Sequence, residues 1–94
     1  MRAGVARIAH ALRPWVSSAN AKRGPTSTAL EVAKNVMVVL SADPELDAAS
    51  VVESALRHRL AQGWIACGDV RAAARCAETA WLKVGAIELR RAAA

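Results

Sequence analysis

The chain has 94 residues, of which 23 are alanine and none is Phe or Tyr, so it holds one modest core and favours helix over sheet. Its longest charge-free runs, such as 35–42 and 60–68, fall far short of the roughly 20 apolar residues that a membrane span needs. The net charge of +5 is carried entirely by residues 1–25, which hold five cations and no Asp or Glu, so a polyanion or an acidic protein surface is the expected partner class.

The first predicted element is a basic amphipathic helix over residues 2–13. Val5, Ile8, Leu12 and then Trp15 or Val16 recur at three- to four-residue spacing, with Arg2, Arg7, His10 and Arg13 on the other side. The charged side chains interrupt any secretory apolar stretch, and Pro14 ends the helix by removing a backbone donor. Residues 17–25 are small, polar and turn-rich, so they read as a loop that carries Lys22 and Arg23. Residues 1–25 thus form a basic helix and loop, and 26–94 a helical core, within a single domain.

The second helix is expected from Thr28, as N-cap with Glu31 three residues on, to about Ser41. Its run Val36 to Leu40 fits a strand as well as a helix by periodicity, and helix is favoured because no convincing strand partner exists. Asp43-Pro44 stops it. A third helix then runs to Cys67 with Ala49, Val52, Leu56, Leu60, Trp64 and Cys67 on one stripe. Gly68 is expected in the left-handed terminal position, with Asp69 capping the next helix.

The fourth helix spans Val70 to about Arg91. Val70, Ala73, Ala77, Ala80, Trp81, Val84 and Ile87 face inward, and Leu82 and Leu89 face outward as candidates for a partner surface. Trp15, Trp64 and Trp81 are the expected anchors of the core, because alanines bury little area each. The fold class that follows is all-α, three or four helices ending in an antiparallel hairpin over 48–91.

Leu60, Ala61, Trp64, Gly68, Ala73 and Ala80 stand at the spacings of one tetratricopeptide repeat, and the last two helices resemble that family. Arg57, Ala77 and Gly85 depart from its pattern, and the resemblance covers about a third of the chain. A lone repeat builds no concave groove, so the resemblance implies a helical hairpin and no specific function.

Signals for chemistry are sparse. His10 and His58 are far apart, and no Cys-x-x-Cys or His-x-x-x-His occurs, so no metal or cofactor is expected. Cys67 and Cys76 read as small core residues out of step for a disulfide. His58 and Cys67 fall on opposite faces of one continuous helix, which offers no nucleophile–base pair. A helix-turn-helix pivoting on Gly68, with Arg71 and Arg75 as readers, is disfavoured by the length of both helices.

The expected function is therefore non-catalytic binding in the cytoplasm, as a small accessory subunit or adaptor in a larger assembly, with a protein partner and with self-association open. The alternative is sequence-tolerant binding of DNA or RNA through Arg2, Arg7, Arg13, Lys22 and Arg23, whose phosphate contacts would be strongly salt-dependent.

Overall fold

A computed structural model describes the backbone of residues 2–19 and 24–93, and the side chains of 4–19, 24 and 27–85. Four helices, α1 (Arg2–Leu12), α2 (Pro25–Ala42), α3 (Ala48–Ala61) and α4 (Val70–Ala93), carry most of the chain. Two three-residue strands, β1 (Val16–Ser18) and β2 (Ile65–Cys67), form an antiparallel ribbon. The fold is all-α in class, with each helix packed on two others: α1 on α4 and α2, and α3 on α4 and α2.

The stripe of α1 is the one its sequence spells out: Ile8 and Leu12 are fully buried, Val5 packs against them, and Arg7, His10 and Arg13 are exposed. Pro14 cannot extend the helix, and the chain leaves through a turn closed by the Trp15 amide donating to Leu12 O at 2.9 Å. Val16, Ser17 and Ser18 then pair with Cys67, Ala66 and Ile65, so the first part of the expected 17–25 loop is a strand. Lys22 and Arg23 lie outside the described residues.

In α2, Ala29, Val32, Ala33, Val36, Met37 and Leu40 alternate three and one residues apart and all are buried, which settles 36–40 as helix. The helix begins earlier than its capping-box pattern suggests. Gly24 is the N-cap and Pro25 opens the first turn, where a missing amide costs nothing. Thr28 is buried inside that turn, its hydroxyl donating to Gly24 O at 3.3 Å, so it is no cap. Asp43 closes the other end, its carboxylate accepting the Glu45 amide at 3.2 Å ahead of the α3 cap.

Asp47 caps α3 by accepting from the Ser50 amide and hydroxyl, and Ala48, Val52 and Leu56 form the buried face. The helix stops at Ala61, six residues before Cys67, where the sequence stripe ends. The reason is Gly63, which sits at φ +74°. Its amide donates to Leu60 O and the Trp64 amide to Arg59 O, both at 3.0 Å, a Schellman closure that needs a left-handed residue at this position. Gly68 therefore does not perform the role the sequence suggested for it. Trp64, ejected from the helix, is 57% exposed rather than a core anchor, while Trp15 and Trp81 do pack against the core.

Asp69 caps α4 as expected, accepting the Ala72 amide at 3.0 Å. The inner face of α4 is Ala73, Ala74 and Ala77, whose short side chains let the helix approach its neighbours closely. Because β1 follows α1 and β2 precedes α4, their pairing ties the end of α1 to the start of α4. Gly4, near the start of α1, meets Val84. These two helices therefore run antiparallel, and the last nine residues of α4 continue past the contact with Gly4.

Candidate functional site

Antiparallel packing of α1 and α4 leaves an open groove of about 660 Å³ between their outer sides. The faces that form it follow from helical spacing. Residues 6, 7, 10 and 11 of α1 share one side, and 76, 79, 80 and 83 of α4 follow an i, i+3, i+4, i+7 pattern. Ala6, Ala11 and Ala80 are the small apolar residues of its lining. Arg7 and His10 stand on the α1 side, and Cys76, Thr79 and Lys83 on the α4 side.

The electrostatics are one-sided. No carboxylate lines the groove, and neither Arg7 nor Lys83 has an ion pair among the described residues. Glu78, the acidic residue nearest in sequence, is not among the residues that line the groove. The Thr79 hydroxyl donates back to Arg75 O at 3.0 Å, so one of the few polar groups in the wall is satisfied within its own helix.

The sequence candidates scatter around this site. Arg7 lines it, and Arg13 is exposed in the turn beyond α1. Arg2 lies on α1 and Leu89 on α4, both with side chains outside the described set, as Lys22 and Arg23 are entirely. Leu82 is 64% exposed on α4, next in sequence to the groove residue Lys83. Lys83 itself was missed by sequence reasoning. Its signal is the shared face with Cys76 and Thr79, which becomes meaningful only once α1 is laid beside it.

The two thiols have different environments. Cys67, half-buried in β2, has its pKa raised by burial, against which the Asp69 backbone amide pulls down. Cys76 is free and exposed in the groove wall, contrary to its expected place in the core, because its helix face turns away from Ala73 and Ala77. His58 packs edge-on to Trp64, with ring centroids 5.8 Å apart and planes at 84°. Among the described residues no group of three or more His, Cys, Asp or Glu could hold a metal ion, and no helix is long and apolar enough to cross a membrane.

No family model matches the sequence, and neither does any curated protein or solved structure. The tetratricopeptide likeness thus stands on the pairing of α3 with α4 alone. Two of its signature residues, Trp64 and Gly68, lie outside both helices in the eight-residue connection 62–69. The same connection, strand included, replaces the short turn of a helix-turn-helix.

Proposed function

We propose that this chain is a non-catalytic binding protein of the cytoplasm, an accessory subunit or adaptor that docks a protein partner on the face shared by α1 and α4. The observation that carries this reading is the open groove itself, its small residues together with cations that have no ion pair among the described residues, and Leu82, next in sequence to Lys83, is exposed on the same helix. A lining of small apolar residues and cations suits a protein surface, which supplies apolar side chains and carboxylates at once. A nucleic-acid backbone would use the cations and leave the apolar residues uncovered.

The test is to isolate the tagged full-length chain from the cells that make it, with and without nuclease, and to measure binding to duplex DNA and single-stranded RNA across a salt series. The proposal expects a protein in fixed ratio that survives nuclease. A chain that retains only nucleic acid, with affinity falling steeply as salt rises, overturns it in favour of phosphate binding through Arg7 and Arg13.

A further inference from the structure

We infer that the occupant of the α1–α4 groove is an acidic amphipathic helix of the partner, an inference that rests on the protein-docking reading and names its chemistry. The wall of α4 from Cys76 to Lys83 advances about 11 Å, at 1.5 Å per residue, which matches two turns of a helix laid alongside it. The open groove between two helices, with Ala6, Ala11 and Ala80 in its lining, is a shape that receives a third helix as a ridge in a groove. Extended strands gain no hydrogen bonds there, because the backbones of α1 and α4 are already paired within themselves.

Charge selects the occupant further. Arg7 on α1 and Lys83 on α4 line a site with no carboxylate among the described residues, so a ridge flanked on both sides by Glu or Asp meets a cation on each flank. A second copy of this chain is disfavoured, since the same face would bring Arg7 and Lys83 against their own kind. The partner helix carries small or medium apolar side chains at i and i+4, with acidic residues on either side of that stripe.

Cys76 lies in the groove wall and reports occupancy directly. The experiment measures alkylation of Cys76 in the full chain, with Cys67 as the internal reference, while three helical peptides of ~18 residues are titrated. All share an Ala/Leu stripe, and their flanking residues are Glu, Gln or Lys. The Glu peptide is expected to shield Cys76 at a concentration at least about tenfold lower than the Gln peptide. In an Arg7→Glu, Lys83→Glu double variant the preference should pass to the Lys peptide, and in Arg7→Gln, Lys83→Gln the three should converge. Circular dichroism checks that both variants keep their helices.

Equal shielding by the Glu and Gln peptides, no shielding by any peptide, or an unchanged preference in the charge-reversed variant overturns the inference. So does stronger shielding by duplex DNA or by vesicles of anionic lipid. If the natural complex forms undiminished with the charge-reversed variant, the acidic-helix inference fails while docking of a protein partner stands.

Discussion

Gly4 of α1 lies so close to Val84 of α4 that a Cβ built on it would stand 3.3 Å from Val84 Cγ1, with Met37 Cε of α2 at 3.1 Å. This is the point where three helices converge, and a glycine in the first turn of α1 is tolerated there for close approach despite its low helix propensity. Gly4→Ala should be nearly neutral, within about 1 kcal/mol, because the better helix former offsets a contact that the flexible Met37 tip can relieve. Gly4→Leu should cost about 1–3 kcal/mol by overpacking, read from urea denaturation midpoints at constant slope.

Trp64 and Leu56 make a paired test of where the core lies. Leu56 is fully buried, and Leu56→Ala should destabilise by about 2–5 kcal/mol through the cavity it leaves. Trp64 touches His58 edge-on and is mostly solvated, so Trp64→Ala should cost only about 1 kcal/mol despite removing a larger side chain. A loss at Trp64 equal to that at Leu56 would return Trp64 to the core.

Asp47 ties stability to pH. The Ser50 hydroxyl and amide donate to its carboxylate and hold its pKa below the ordinary value. A depressed carboxylate contributes stability that is fully present above the unfolded pKa of about 3.9 and is lost as pH falls through the folded value. Asp47→Asn caps without a titratable charge, so the difference in melting temperature between wild type and this variant should shrink on acidification. A difference that stays constant through the acid range would remove the carboxylate from the account.

The thiols should separate kinetically in the free protein. Burial raises the Cys67 pKa and reduces its thiolate, while Cys76 is open to solvent, so iodoacetamide at neutral pH should modify Cys76 first. Peptide mapping of a time course checks the order, and faster labelling of Cys67 would contradict the packing of β2.

The helices were legible because each stripe repeats within one segment: Ile8 and Leu12, then Ala29 through Leu40, then Val52 and Leu56. Asp69 was legible for the same reason, since a cap acts three residues away. What misled was a stripe that kept its period past the end of its helix. Leu60, Trp64 and Cys67 share a helical face on paper, yet Gly63 between them adopts a conformation that closes α3. The ribbon was hidden because Val-Ser-Ser and Ile-Ala-Cys are too short to show alternation and pair across some fifty intervening residues. The groove was half legible. Arg7 stood out as part of a charge cluster, whereas Lys83 acquires meaning only from the antiparallel meeting of α1 and α4.

Hydrogen exchange of the full chain, alone and saturated with its isolated protein partner, tests the docking face most directly. The account predicts that added protection concentrates in residues 6–11 of α1 and 76–83 of α4, with the Ile65–Cys67 ribbon and α3 little changed. Protection centred on α3 or the ribbon, with both groove walls unaltered, would contradict it.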